Sequence, residues 1–219
     1  MKIELKNIYV NQRMSRETTL FEADIYIDGL KAGFAENEGR GGQTNIQGIG
    51  EKGRQLIEAA EAYCKKLPDK VEEYEVNDKK EKYKMKMSLE VFVDDLLEAF
   101  LNKKEMARFQ KRMDKDMLDS ILYGVPGSLA YTKLQYRYPM EKMLSTPAFR
   151  AGFMTSIANK ILPSMKKGEK ILNTNIHPEQ LAKLGVPADR LLPVEPEVKR
   201  LPTSPRVKGP EKKKGGKRP

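Results

Sequence analysis

Cysteine and histidine are almost absent from this sequence of 219 residues. The single cysteine, Cys64, excludes an internal disulfide and fits a reducing compartment. The single histidine, His177, precedes a proline, so the chain offers no His-based dyad and too few His and Cys ligands for zinc. Glu22 and Asp24 alternate along one strand, as carboxylates on a solvated strand face do. We therefore predict no catalytic residues, no metal and no cofactor, and no motif gives a reason to name an enzyme.

Long apolar runs are also missing. The first ten residues, MKIELKNIYV, lack the apolar core of a signal peptide, and no segment approaches the about 18 apolar residues of a transmembrane helix. We expect a soluble cytoplasmic protein. Apolar residues make up 39% of the chain, which is enough to build a hydrophobic core.

Positive charge is concentrated near the end of the sequence. Residues 195–219 carry nine Lys or Arg and three Glu, which leaves a net charge of only +4 of the total +10 for the rest. Prolines recur from His177 onward and leave little room for regular structure. This pattern predicts a single folded domain over 1–176 and a flexible Pro-rich and Lys/Arg-rich tail over 177–219, with a short helix at 178–184 and disorder beyond Pro193.

The cations of the tail predict binding to phosphate. A flexible polycation neutralises nucleic-acid phosphates through counterion release, and with about six contacts its affinity falls about a thousandfold between about 50 and 200 mM salt. An acidic protein partner, an anionic surface or a solubilising terminus would account for the same charges. The candidate nucleic-acid-binding residues in the tail are Arg206, Lys208, Lys212, Lys213, Lys214, Lys217 and Arg218.

The clearest local structure is a β-hairpin in the segment Phe21 to Gly42. Asp28-Gly29 separates two alternating runs and is a preferred pair for a two-residue type I′ turn. The turn fixes the register, and the apolar residues of both strands then share one face. The predicted pairs are Ile27 with Leu30, Ile25 with Ala32 and Ala23 with Phe34.

A glycine-rich loop follows the hairpin at Gly39, Arg40, Gly41 and Gly42. Glycine lets backbone N–H groups turn toward one point and cradle a phosphate, with Arg40 as the charged clamp. A wide turn whose glycines serve backbone geometry explains the same residues. The loop is not a Walker A motif, because no Gly-Lys-Ser/Thr follows, and the neighbouring Glu36 and Glu38 would repel an anion.

The remaining periodicities predict an α+β fold. A mostly antiparallel sheet, built on the N-terminal hairpin, would pack against three or four helices. Besides the hairpin, strands are predicted at 2–10, 82–87, 129–138 and 170–173, and helices at 51–67, 89–101, 105–124, 147–163 and 178–184. Residues 70–81 read as a charged link that could contribute a short strand. We expect the strands at 82–87 and 129–138 to join the same sheet as the hairpin.

One strand face carries the second candidate surface for nucleic acid. Tyr131, Lys133 and Arg137 alternate on one side of the predicted strand at 129–138. Aromatic side chains interleaved with cations stack bases and hold phosphates. Tyrosine is also common on ordinary strands, where it packs well, so an ordinary solvated face stays an alternative.

Several short patterns together resemble a family of proteins. The segments are SRET at 15–18, ADIYIDG at 23–29, GRGG at 39–42, Tyr63 and YGVPG at 123–127. In these segments the chain resembles small uncharacterised proteins encoded by bacteriophages and related mobile elements, over most of residues 1–175. The resemblance implies a bacterial host cytoplasm, and it carries no known activity or site residue.

The sequence thus predicts a non-catalytic accessory protein that associates with nucleic acid through its tail and the Tyr131, Lys133 and Arg137 face. The alternative is a binder of a phosphorylated small molecule, or an inhibitor of a host protein, that uses the Arg40 loop. The predicted partner is nucleic acid, bound without sequence preference, or an acidic protein.

Overall fold

The computed structural model describes residues 1–76 and 79–193. The chain divides into two compact units, Met1–Arg112 and Met113–Pro219. Each unit contains its own hydrophobic core. The α+β class is confirmed, and the single domain ending at residue 176 stays a prediction.

The first unit contains a four-stranded antiparallel sheet with the order β1-β2-β3-β4. The strands are β1 (Ile3–Val10), β2 (Phe21–Ile27), β3 (Leu30–Asn37) and β4 (Asn45–Gly48). The opening strand and the hairpin are confirmed. Asp28 and Gly29 have φ angles of 47° and 84°, the left-handed pair that a type I′ turn requires.

The hairpin changes register two pairs away from its turn. Ile25 pairs with Gly33 rather than Ala32, so Ala32 is the extra residue of a β-bulge. The bulge moves Ala35 into the core and leaves Phe34 half-buried. The predicted pairs Ile25 with Ala32 and Ala23 with Phe34 are therefore wrong, and so is the inward position of Leu30, which is exposed.

The helix predicted at 51–67 is confirmed as α1 (Gly50–Cys64), and it packs on β3. The bulge fixes the residue that precedes α1, because the carbonyl oxygen of Ala32 accepts a hydrogen bond from the N–H of Ile49 at 2.9 Å. A Cβ atom on Gly53 would overlap that same carbonyl oxygen. Only glycine at this position lets the helix approach so closely.

A separate two-stranded sheet follows α1. Its strands are β5 (Lys70–Val76) and β6 (Lys79–Met85), paired antiparallel. Opposite charges lie across the pair, as in the 2.9 Å bridge between Lys82 and Glu73, and such pairs stabilise two facing strands. The strand predicted at 82–87 therefore pairs within its own hairpin instead of joining the main sheet, and the predicted link at 70–81 supplies its partner.

Helix α2 (Leu89–Asp116) is one continuous helix of 28 residues. Its apolar side changes along its length, since Leu89, Val93 and Leu97 are buried in the first half and Phe109 and Met113 in the second. These two stripes lie on different faces of the helix at 100° per residue. The change of face explains why the sequence pattern resembles two helices, at 89–101 and 105–124.

The second unit contains a three-stranded sheet with the order β8-β7-β9. The strands are β7 (Ser120–Gly124), β8 (Thr132–Gln135) and β9 (Lys170–Ile171). All five residues of β7 are buried. The prediction that the second helix continues to Gly124 is wrong, because the run of apolar residues at its end is a central strand. The strand predicted at 129–138 is shorter and pairs with β7 rather than with the hairpin.

Helices cover the sheet of the second unit. They are α3 (Met140–Ser145), α4 (Pro147–Ser156), a π-helical turn (Ile157–Ile161) that continues into α5 (Leu162–Ser164), α6 (Pro178–Lys183) and a 3-10 turn (Ala188–Arg190). The predicted helices at 147–163 and 178–184 are confirmed. Phe153, Ile157 and Ile161 face inward and are almost fully buried.

Candidate nucleic-acid interface

Tyr131 and Lys133, two residues of the predicted strand face, both bind one carboxylate. The hydroxyl of Tyr131 donates to Oδ2 of Asp116 at 2.8 Å, and the ammonium of Lys133 donates to Oδ1 at 3.1 Å. The Tyr131 hydrogen bond, with Lys133 second, holds the pKa of Asp116 below its usual range. These side chains therefore join β8 to the end of α2, and phosphate would have to compete with Asp116 for them.

Arg137, the third residue of that face, lies in a different environment. Its guanidinium is exposed and stands 5.8 Å from the ring centroid of Tyr138. The ammonium of Lys142 lies 4.6 Å from the same centroid and 5.8 Å from that of Phe149. The two rings stack at 4.9 Å with an interplanar angle of 19°. We call Arg137, Tyr138, Lys142 and Phe149 the cation–aromatic cluster.

Local sequence explains how the cation–aromatic cluster forms. Pro139 ends the extended segment after β8 and precedes α3, which carries Lys142. Pro147 occupies the first position of α4, two residues before Phe149. The prediction from sequence placed Tyr138 at the end of the strand at 129–138, on the face opposite Arg137, and did not include α3. The signal that could have revealed the cluster is Pro139, since a proline is common at the start of a helix.

Tyr136, the neighbouring aromatic residue, belongs to the core rather than to the surface. Its ring meets Phe153 edge-on at 5.1 Å. Burial raises the pKa of its hydroxyl to about 12. Only one of the two tyrosines that flank Arg137 in sequence therefore joins the exposed cations.

The glycine-rich loop uses its N–H groups within the protein. The N–H of Gly39 donates to Oδ1 of Asn37 at 2.9 Å, and the N–H of Gly41 donates to Oγ1 of Thr18 at 3.2 Å. Gly39 and Gly41 have φ angles of 76° and 89°. The glycines thus serve backbone geometry, while Gly42 accepts a hydrogen bond from Nδ2 of Asn37 through its carbonyl oxygen. Arg40 is exposed and lines a cavity.

The tail residues predicted to bind nucleic acid lie outside the described residues. They are Arg206, Lys208, Lys212, Lys213, Lys214, Lys217 and Arg218. Across 1–76 and 79–193, no helix has the length and apolarity needed to cross a membrane. The same residues contain no group of three or more His, Cys, Asp or Glu side chains that could hold a metal ion.

Cys64 and His177 both have structural roles. Cys64 is fully buried, and burial raises the pKa of its thiol. His177 precedes α6, where its Nδ1 accepts a hydrogen bond from the N–H of Glu179 at 3.3 Å. The two residues thus contribute packing and helix capping, respectively.

The chain matches no protein-family model, no curated protein and no solved structure. The resemblance to bacteriophage proteins stays a prediction, and the geometry of the described side chains carries the functional argument.

Proposed function

We propose that this protein is a non-catalytic, nucleic-acid-associating protein that binds single strands without sequence preference. The observation that supports the proposal is the cation–aromatic cluster, in which Lys142 lies over both rings of a stacked pair and Arg137 lies over one of them. We further propose, from the sequence resemblance alone, that it acts as an accessory protein in the cytoplasm of a bacterium that carries a phage or mobile element.

The chemistry of the cation–aromatic cluster suits a single strand. Proteins that bind single strands combine cations for the backbone with aromatic rings on which bases stack, and each stacked base contributes about 1–3 kcal/mol. Lys142 and Arg137 are exposed, and their described partners are rings rather than carboxylates. A phosphate therefore meets cations that no acidic residue in the described structure has neutralised. Tyr138 and Phe149 are half-buried, so they offer an edge or part of a face.

The basic tail adds affinity without adding specificity. The sequence after residue 193 contains most of the excess positive charge of the chain. Cations on a flexible segment follow a phosphate backbone of any sequence, and the release of counterions makes the affinity depend on salt. The cation–aromatic cluster and the tail would act together, because both lie in the second half of the chain.

Fluorescence anisotropy with a labelled single strand of about 20 nucleotides tests the cluster. We expect the double substitution Arg137→Ala and Lys142→Ala to lower affinity about tenfold at low salt and to reduce the salt slope by about 1.4. Lys133→Ala is the matched control, because Lys133 already binds Asp116 and lies on the neighbouring strand. Its expected effect is at most about twofold.

Two results would contradict the proposal. One is an absence of any anisotropy change at low salt with the full chain, for DNA and RNA alike. The other is an equal loss of affinity in the double variant and in Lys133→Ala, which would mean that general charge, rather than the cation–aromatic cluster, determines binding. A circular dichroism spectrum for each variant verifies that the fold is retained.

A further inference from the structure

A cavity in the first unit indicates a second binding site, separate from the proposed nucleic-acid interface. It has a volume of about 660 Å³, and its lining includes three arginines and three glutamates: Arg13, Arg16, Arg40, Glu22, Glu36 and Glu38. We infer that it binds a small phosphorylated compound that also carries hydroxyl groups, of the nucleotide or sugar-phosphate class. The volume falls within the range of about 300–1,000 Å³ that is typical of small-molecule sites.

Two loops that are hydrogen-bonded to each other hold the arginines in place. The N–H of Arg16 donates to the carbonyl oxygen of Gly39 at 2.8 Å, which joins the loop after β1 to the loop that carries Arg40. The hydroxyl of Thr18 completes the contact, since it donates to Oδ1 of Asn37 at 2.7 Å and accepts from the N–H of Gly41. The backbones that carry the guanidiniums are therefore fixed before a ligand arrives, which lowers the entropic cost of binding.

The first of these loops is itself built from internal hydrogen bonds. The hydroxyl of Ser15 donates to the carbonyl oxygen of Asn11 at 2.9 Å and accepts from the N–H of Leu20 at 2.9 Å. The N–H of Asn11 donates to the carbonyl oxygen of Leu20 at 3.1 Å. Arg13 and Arg16 thus belong to a closed, ordered loop.

The three arginines differ from other cations of the same unit. Lys31 binds Asp24 at 2.8 Å, and Lys70 binds Glu72 and Asp95 at 2.8 and 2.6 Å. By contrast, none of the three cavity arginines has a carboxylate within salt-bridge distance in the described structure, although three glutamates line the same space. A phosphate that accepts hydrogen bonds from several guanidiniums would give these arginines the close anionic partner that they lack.

The three glutamates indicate which groups, besides phosphate, the ligand carries. Glu22 and Glu36 lie directly opposite each other on β2 and β3, so two carboxylates face the cavity from neighbouring strands. Carboxylates accept hydrogen bonds from sugar hydroxyls, as the acidic residue of dinucleotide-binding folds does with ribose. They would repel a phosphate placed beside them, so the cavity favours a compound that carries hydroxyl groups as well as phosphate over a bare polyphosphate.

The glycines have a role that differs from a phosphate cradle. Their N–H groups at Gly39 and Gly41 already donate within the protein. The side chain of Arg40, which stands between them, is therefore the part of this loop that reaches a ligand.

Isothermal titration calorimetry with ADP, ribose 5-phosphate and inorganic phosphate tests the assignment. We expect ADP or ribose 5-phosphate to bind the full chain, and Arg16→Ala and Arg40→Ala each to weaken that binding at least about tenfold. Arg108→Ala is the matched control, because Arg108 is exposed on α2 and does not line the cavity. Glu22→Gln should weaken ribose 5-phosphate more than inorganic phosphate, since only the former carries sugar hydroxyl groups.

The outcomes separate this cavity from the nucleic-acid interface. Failure of all three probes to saturate at millimolar concentration overturns the assignment, as does an equal loss in Arg108→Ala. If Arg40→Ala instead weakens the anisotropy signal of the single strand while ADP never binds, the cavity belongs to a nucleic-acid surface and the small-ligand assignment is wrong. Failure of the single strand to bind would leave a positive ADP titration intact, so the two proposals are tested separately.

Discussion

Asn173 supplies hydrogen bonds where strand β9 is too short to do so. Its side chain is 3% exposed, and its Oδ1 accepts from the N–H of Leu122 at 2.7 Å. Its Nδ2 donates to the carbonyl oxygen of Ser120 at 3.0 Å and to Oδ1 of Asn175 at 3.1 Å. A single amide thus satisfies two backbone groups of the central strand β7 that no residue of β9 reaches.

We expect Asn173→Ala to lower the free energy of unfolding by about 2–4 kcal/mol. The reason is that two buried backbone groups lose their partners, each at a cost of about 1–3 kcal/mol. Urea denaturation followed by circular dichroism measures the change. Asn45→Ala is the control, because Asn45 is exposed and bonds only Glu36 among the described residues, so its effect should stay within about 0.5 kcal/mol. A loss in Asn173→Ala no larger than in the control would contradict this account.

Asp116 gives a pH-dependent contribution to stability. Its pKa is lowered in the folded state by the hydrogen bonds from Tyr131 and Lys133, and its side chain is 19% exposed. A lowered folded-state pKa means that the stabilisation is fully present above the ordinary value of 3.8 and is lost as pH falls through the folded-state value.

Asp116→Asn should therefore destabilise the protein by about 1–2 kcal/mol at neutral pH, with a difference that shrinks below about pH 4. Urea denaturation at a series of pH values measures the difference between variant and wild type. The matched variant Asp189→Asn removes a carboxylate that is 77% exposed, and we expect no comparable change. A difference for Asp116→Asn that stays constant with pH would show that shape, rather than charge, determines its contribution.

At the scale of the element, α1 and the β-bulge of β3 depend on each other. The bulge turns the carbonyl oxygen of Ala32 toward the start of α1, and Gly53 leaves room for it. Neither feature is visible in the alternation of apolar residues. The turn at Asp28-Gly29 is predictable because its geometry depends on two residues, whereas the bulge depends on a helix that begins at Gly50.

Gly53→Ala should lower the free energy of unfolding by about 1–3 kcal/mol, because the added Cβ overlaps a backbone oxygen that cannot rotate away. Gly152→Ala is the matched control, since Gly152 is a helical glycine whose Cβ would meet nothing within 4 Å. That control should be neutral or stabilise by up to about 1 kcal/mol. Thermal denaturation ranks both variants against wild type, and equal destabilisation by the two would exclude the close contact as the cause.

The elements that were predicted wrongly from the sequence share one physical cause. The apolar residues at 117–123 continue the spacing of a helix and also fill a fully buried strand, and periodicity does not separate these two for a short run. Tyr131 and Lys133 illustrate the same limit for the site. Their alternation is correct, but the carboxylate that binds them comes from the end of α2, a contact that no local pattern encodes.

At the scale of the whole molecule, the excess positive charge is divided unevenly along the chain. The sequence outside residues 195–219 has a net charge of only +4, and several of its cations pair with carboxylates or lie over rings. This division could be predicted from composition alone. The gathering of Arg13, Arg16 and Arg40 could not, because two loops separated by two strands bring them together.

We expect the salt dependence of nucleic-acid binding to show how much the residues after Pro193 contribute to affinity. Between about 50 and 200 mM salt the affinity of the full chain should fall about a thousandfold, and that of a chain truncated after Pro193 only about tenfold, because fewer phosphates are neutralised. Anisotropy titrations at four salt concentrations measure both slopes. Identical slopes would show that the tail does not take part in binding.

The burial of the only thiol gives this protein a natural reporter. Cys64 is inaccessible in the core of the first unit, so a thiol-specific reagent modifies it only when that core opens. The rate of modification under native conditions thus measures the opening equilibrium, with no engineered probe. It also means that a fluorophore introduced through a surface cysteine would label one position selectively, provided that the reaction is short compared with core opening.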